Sequence, residues 1–288
     1  MFTCRLGYVS TSTEVAMLNL REIHKPTTIA DALKLLQQPG TVALAGGTAL
    51  NTDKRRDVNA VVDLSGLGLS YIKEANGAIA IGATTTLAAI AESPILRALA
   101  NGVVAQAAHR SASSILRNQA TIAGTLITEP DAVLAVALLA LDAQVTIIHN
   151  DARNVSLADF LSMREHLLMQ ALITEISVPM ENPRTSLQTV ARTPSDKPIV
   201  SVVASARIDK GITRNVRIAL GGVAESAVRA SASEQVLDGQ LLNEALIEKA
   251  VSVASQALAP RGDYRGSADY RKEMAIVLTR RALGNLTK

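Results

Sequence analysis

The chain has 288 residues, 48 % of them hydrophobic and 19 % charged, a globular composition long enough for one large domain or two smaller ones. Two Phe, four Tyr and no Trp leave the core to Ala, Val, Leu and Ile and exclude the aromatic stacking platforms of single-stranded nucleic-acid binders. The net charge is +3 with no long basic block, so the basic residues read as a solvated surface and not as a nucleic-acid stripe. Cys4 is the only cysteine. It allows no intrachain disulfide and no cluster held by four thiolates of this chain, and it fits a cytoplasmic location.

No apolar run approaches the ~20 residues of a membrane-spanning helix, and residues 1–16 lack the apolar core of a signal peptide. Patterned sequence starts after Met17, which is the expected functional start, with 1–16 a dispensable, disordered extension. Thr28 and Asp31 form a capping-box-like start to a short helix that Pro39-Gly40 ends. "TVALAGG" reads as a strand entering a loop, and "NAVVDLSG" as a second strand. Asn76-Gly77 marks a hairpin within "YIKEANGAIAIGA". A helix over 84–93 precedes helical spacing across 103–116. "AVLAVALLALDA" is apolar on all sides, as a buried helix would be. "QVTIIH" and "ITEISVP" read as strands. Pro179 to Pro183 marks a boundary. Three strands follow ("SLQTVAR", "IVSVVASARI", "NVRIALGGV"), then helices over 242–258 and 267–283.

Two segments share one build: "AGGTAL" (45–50) and "TIAGTL" (121–126). Each places a small residue, glycine and threonine before an apolar exit. Glycine lets the backbone take positive φ and lets a ligand reach the peptide without a Cβ in the way. Consecutive exposed N–H groups form a nest suited to phosphate. Thr48, Thr121 and Thr125 can add hydroxyls. Either could be a plain turn, but two such segments in one domain point to a ligand with two phosphates or to an extended dinucleotide. Neither is a Rossmann fingerprint or a Walker loop. His24, His109, His149 and His166 lack metal-ligand spacing, and no Gly-x-Ser-x-Gly supplies a nucleophile. No catalytic residue and no metal ligand is therefore assigned. Arg117-Asn118 reads as closing a helix and ordering a loop, and Asp263 as the structural partner of an arginine.

The ordered run "PTTIADALKLL", "VALAGGTAL", "VVDLSGL", "YIKEANGAIAIGATTT", "ILRNQATIAGTL", "ALLALDAQV" and "EISVP" resembles the FAD-binding medium subunit of molybdenum hydroxylases, which include carbon monoxide and xanthine dehydrogenases. "GDYRGSADYRKEM" resembles that family's final domain through Asp263, Arg265, Ser267, Ala268, Tyr270 and Arg271. The resemblance implies an α+β fold. A two-subdomain FAD-binding unit of PCMH type (17–177) would precede a C-terminal flavoprotein domain (178–288), a three-stranded antiparallel sheet packed by helices.

By the same resemblance, Leu44, Ala45, Gly46, Gly47, Thr48, Ala49 and Leu50 form the first FAD loop. Thr121, Ile122, Ala123, Gly124 and Thr125 form the second. Arg192 and Asp196 match the Arg and Asp after the first C-terminal strand. Three departures stand out. Ala123 replaces a glycine; a positive φ there would cost about 1 kcal/mol of strain, so Ala123→Gly is expected to tighten FAD binding, unless the loop holds Ala123 at negative φ. Asp131 lies close to the family's acidic position, which by count falls on Val133. Gln188 stands where a lysine is common. The implied function is electron relay. An iron–sulfur small subunit and a molybdopterin large subunit, in a heterotrimer or its dimer, would feed electrons through FAD to an external acceptor. Two other readings use the same residues: a relative that has lost FAD and serves assembly, or a stand-alone flavin oxidoreductase.

Overall fold

The computed structural model describes residues 20–50, 58–193 and 196–287. The expected extension over 1–16 and the start at Met17 lie outside these residues. Strand β1 (Glu22–His24), helix α1 (Ile29–Leu36), β2 (Thr41–Leu44) and β3 (Ala60–Asp63) open the described chain. The three strands form a parallel sheet in the order β1-β3-β2. Thr28 caps α1: its hydroxyl accepts from the Asp31 N–H at 3.1 Å and donates to the Asp31 carboxylate at 2.7 Å. The cap is thus made by the Thr28 hydroxyl, which also donates to Asp31. This is a variation on the capping box, in which the carboxylate would accept from the backbone N–H of the cap residue.

The hairpin β4 (Ile72–Ala75) and β5 (Ala78–Gly82) turns at Asn76 (φ 51°) and Gly77 (φ 75°). Both are left-handed, as a two-residue type I′ turn requires. Six helices follow: α2 (Leu87–Glu92), α3 (Pro94–Ala98), α4 (Val103–Ser111), α5 (Ser114–Arg117), α6 (Ile122–Thr128) and α7 (Val133–Ala140). The single helix expected over 103–116 is broken at Ala112, whose backbone is extended (φ −153°, ψ 164°). Ser113 restarts the helix as a new cap, a local preference that outweighs the continuing apolar spacing. Strands β6 (Gln144–Ile148) and β7 (Ala152–Ser156), helix α8 (Leu157–Leu167) and β8 (Leu172–Pro179) then complete an antiparallel five-stranded sheet, ordered β4-β5-β8-β6-β7.

The third sheet holds β9 (Arg184–Val190), β10 (Val200–Asp209), β11 (Ile212–Gly221) and β12 (Val228–Arg229), antiparallel in the order β12-β11-β10-β9. The three long strands are those read from the sequence. The two-residue β12 is an addition, too short to carry a periodicity. Helices α9 (Ser231–Leu237), α10 (Glu244–Ala257) and α11 (Ala268–Asn285) cover this sheet.

Every residue of α7 is buried. It packs against α4 on one side and against β10 and β11 on the other, which is why no face of it is polar. The C-terminal sheet is fastened to this helix at both ends. The Ala227 N–H donates to the Pro130 carbonyl at 2.8 Å, and the Ser205 hydroxyl to the Ala140 carbonyl at 2.6 Å. Asp142, just past α7, accepts from Arg217 and Arg229 at 2.7 Å each. Among the described residues no single helix is long and apolar enough to cross a bilayer.

Candidate functional site

Strand β2 ends at Leu44, and residues 45–50 leave the parallel sheet as an irregular loop. Its two glycines have different reasons. Gly47 sits at φ +70°, a left-handed conformation that costs a residue with a side chain roughly 1–2 kcal/mol. Gly46 has ordinary φ, but a Cβ there would run into the carbonyl of Gln119. The first loop therefore lies directly on the backbone that precedes α6. Among the described residues, the N–H groups of Gly46, Gly47 and Thr48 meet no acceptor. Three successive free amides in a loop this tight are what an anion nest requires.

The second segment differs from the exposed loop expected at 121–125. It is the start of α6, with Thr121 as the cap: its hydroxyl oxygen accepts from the Gly124 N–H at 3.2 Å. The Ile122 N–H donates to Thr85 O at 3.0 Å, the Ala123 N–H to Ala83 O at 3.2 Å, and the Thr125 N–H to Thr121 O at 2.9 Å. Of the amides normally left over at a helix start, those of Ile122, Ala123 and Gly124 are all used by the protein. The Thr125 and Thr128 hydroxyls are turned back onto Thr121 O and Gly124 O, both at 2.9 Å. Among the described residues, the hydroxyl protons of Thr48 and Thr121 find no acceptor. The nest is thus the first loop alone, and the second segment forms a wall beside it.

Ala123 has no positive φ and lies inside α6, so the strain expected from replacing a glycine does not exist. Helix geometry suits alanine better than glycine. Ala123→Gly should leave the FAD dissociation constant unchanged within about twofold and lower apo-protein stability by about 0.5–1 kcal/mol. Titration and thermal melting of the two proteins side by side check it. Tighter flavin binding by the mutant would restore the strain argument.

Between the two segments lies a cavity of about 280 Å³, lined by residues 42–50 on one side and by Thr121, Ala123, Gly124, Ile127 and Thr128 on the other. Leu64, Ala83, Thr84, Leu172 and Ile173 close its floor. A second cavity of similar size lies along the other flank of α6 and shares Thr48, Ala49 and Thr128 with the first. It also reaches Thr125, Ser111 and Glu129. Of the sequence-based candidates, residues 44–50, Thr121, Ala123 and Gly124 meet at the first cavity, and Thr125 lines the second. Ile122 is fully buried. Asp131 is apart, in a small crevice with Ser111 and Lys197. Lys197 stands 3.1 Å from Glu129 and 3.7 Å from Asp131. Arg192 and Asp196 form a 3.6 Å ion pair. Thr84, Thr128 and Lys197 were not identified from sequence. The fold assembles them from distant segments, and no spacing could reveal them.

The remaining motif residues are structural. Arg117 donates to His109 O at 2.9 Å and Ala112 O at 2.8 Å, closing α4. Arg271 is buried and donates to Ile199 O at 2.7 Å, Gly222 O at 2.8 Å and Asp263 at 2.7 Å. Burial by itself raises the pKa of the Asp263 carboxyl. Hydrogen bonds from Arg271 and from the backbone and side chain of Arg265 outweigh it and hold the group well below its ordinary 3.8. Tyr71 donates to Glu175 at 2.8 Å, and burial with that carboxylate pushes the phenol up to about 12. Among the described residues no group of His, Cys, Asp and Glu could hold a metal ion.

The amides and apolar walls fit a flavin dinucleotide: donors for a pyrophosphate beside a largely apolar cleft. Comparison with known proteins agrees. Residues 17–181 match the family described as FAD binding domain in molybdopterin dehydrogenase, and 185–286 match the CO dehydrogenase flavoprotein C-terminal domain. The glyceraldehyde dehydrogenase medium chain of Sulfolobus acidocaldarius is 28 % identical over 264 residues, covering 88 % of this chain and 94 % of the relative. The carbon monoxide dehydrogenase medium chain of Hydrogenophaga pseudoflava is 28 % identical over 279 residues, with 91 % and 95 % covered. A crystallised carbon monoxide dehydrogenase from that organism superposes with a TM-score of 0.85 at 27 % identity, over 93 % of this chain and 97 % of the other. The relatives are subunits of oxidoreductases, and the chain belongs with them to the FAD-binding medium subunits of the molybdenum hydroxylase family.

Proposed function

We propose that this subunit relays electrons from iron–sulfur clusters on a small partner subunit, through its FAD, to an external acceptor, while a molybdopterin large subunit oxidises the substrate. One observation carries the reading: the unspent N–H groups of Gly46, Gly47 and Thr48 at the mouth of the cavity beside α6. When bound, FAD supplies the redox chemistry; the chain's own residues bind and orient it. The three amides hold the pyrophosphate, and the Thr48 and Thr121 hydroxyls donate beside them. Val42, Leu44 and Ile127 keep water from the buried side. The single cysteine leaves the clusters to a partner. The assembly is a cytoplasmic heterotrimer or its dimer. The loss of a glycine at 123 gives no ground for a chain that has shed its flavin, because that position is helical.

Purification of the tagged chain from its native host tests this. About one FAD per chain is expected, with one cluster-bearing and one molybdopterin-bearing protein eluting alongside. A colourless protein would refute the flavin assignment. A yellow protein that always elutes alone would refute the relay.

A further inference from the structure

The run Thr84-Thr85-Thr86 joins β5 to α2, and its three hydroxyls have different tasks. Thr85 is buried; its hydroxyl accepts from the Tyr71 N–H at 3.1 Å and donates to Tyr71 O at 3.0 Å. Thr86 caps α2, its hydroxyl oxygen accepting from the Ala89 N–H at 3.2 Å. Thr84 has no such use. Among the described residues its side chain meets no hydrogen-bond partner, and it lines the cavity of about 280 Å³ beside α6. The backbone fixes it there. The Thr84 N–H donates to Leu69 O, the Ala83 N–H to Thr174 O and the Thr85 N–H to Gly82 O, each at 3.0 Å, while Ala83 O and Thr85 O receive the first amides of α6. Its neighbours on the cavity floor, Leu64, Ala83, Leu172 and Ile173, are all apolar. If residue 84 only filled space, valine would do so in the same shape, with no hydroxyl to strip of water when the cavity is occupied.

We infer that Thr84 is a flavin contact: its hydroxyl donates to the polar edge of the isoalloxazine ring and so sets the ring's orientation and its potential. With the pyrophosphate on the Gly46, Gly47 and Thr48 amides at the mouth, the floor is left to the ring. The ring has two apolar faces, which suit aliphatic walls. It also has one edge of carbonyl oxygens and ring nitrogens, which needs partners once water is excluded. A threonine hydroxyl supplies a donor there and rotates to suit its acceptor. The bond strengthens after reduction, when negative charge gathers on that edge, so the hydroxyl also raises the flavin's potential. The inference deepens the flavin reading, on which it rests, and needs no part of the relay.

The test combines FAD titration of the apo-protein with the midpoint potential of the flavin-loaded chain, for wild type, Thr84→Val and Thr84→Ser. Thr84→Val should raise the dissociation constant of oxidised FAD about fivefold. It should weaken the hold on reduced FAD about fivefold further, which lowers the potential by about 20 mV for a two-electron couple. Thr84→Ser keeps the hydroxyl and should stay within about twofold of wild type for both forms. Apo-protein melting should not fall in Thr84→Val, because no hydrogen bond within the described chain is lost. Wild-type affinity and potential in Thr84→Val would overturn the proposal. So would equal losses in the valine and serine variants, which would assign residue 84 to packing alone. A wild-type chain that takes up no FAD would overturn the flavin reading and the role of Thr84 with it. Thr84-dependent FAD binding by a chain that never pairs with a cluster-bearing protein would refute the relay and still support the contact.

Discussion

Gly46→Ala should cost the subunit most of its flavin while leaving the rest of the fold intact. The added methyl would run into the Gln119 carbonyl, and that backbone cannot recede. The Gln119 and Ala120 N–H groups are tied to Leu116 O at 3.0 and 2.7 Å, and Ala120 O receives the Leu87 N–H at 2.9 Å. The side that yields is the first loop, because Gly46, Gly47 and Thr48 hold no such bonds. Its displacement carries all three phosphate donors away together. Overpacking of this kind costs about 1–3 kcal/mol, or roughly five- to a hundred-and-fifty-fold in FAD affinity. Gly47→Ala should do less. Its new Cβ meets only the flexible end of Leu44, at 3.3 Å, so the cost is left-handed strain of about 1–2 kcal/mol. Gly47→Val adds branching to that strain and should abolish retention. Apo-protein melting should change little in any of them, since the loop lies outside the buried clusters. FAD titration of the apo-proteins gives the order. Wild-type affinity in Gly46→Ala would mean the loop amides do not hold the pyrophosphate.

What could be read in advance followed from how local each signal is. The Thr28 cap, the Asn76-Gly77 turn and the all-apolar α7 each depend on a few neighbouring residues, and the structure contains all three. The glycine pair at 46–47 was legible as a site where backbone must come close, but the sequence could not say close to what. The answer, Gln119, is more than seventy residues away. The same limit explains the misreading of 121–125. Its resemblance to the first loop is real, yet the amides are taken by Ala83 and Thr85, partners that only the tertiary fold brings to them. Two segments of like composition therefore play unlike parts, one a nest and the other a capped helix. The break at Ala112 has a local cause, Ser113, and was masked by apolar spacing that continues through it. Lys197 gains meaning only from Glu129 and Asp131, more than sixty residues earlier in the chain.

The C-terminal domain should be far more sensitive to Arg271 than to any other residue of its Asp-x-Arg-x-Ser-Ala-x-Tyr-Arg motif. Arg271 is 3 % exposed and ties the start of α11 to Ile199, just before β10, to Gly222, just after β11, and to Asp263 in the preceding loop. Arg271→Met keeps much of the apolar stem but strands two buried carbonyls and removes one of the two arginines on Asp263. Removing one partner of such a buried pair typically costs about 3–5 kcal/mol, or a fall in melting temperature on the order of ten degrees for a chain of this size. Asp263→Asn should cost less, because that side chain is one-third exposed and its neutral amide can still accept from Arg271. Its effect should also depend on pH. The folded pKa lies below the ordinary 3.8, so the charged form stabilises the domain above that value and the benefit disappears as pH falls through the folded pKa. The stability gap between wild type and Asp263→Asn should therefore be constant from neutral pH to about pH 5 and narrow below about pH 4. Thermal melts of the three proteins across that range measure both effects. A gap that stays constant at the acid end would show that Asp263 does not act through its charge, and an Arg271→Met protein as stable as wild type would remove the clamp altogether.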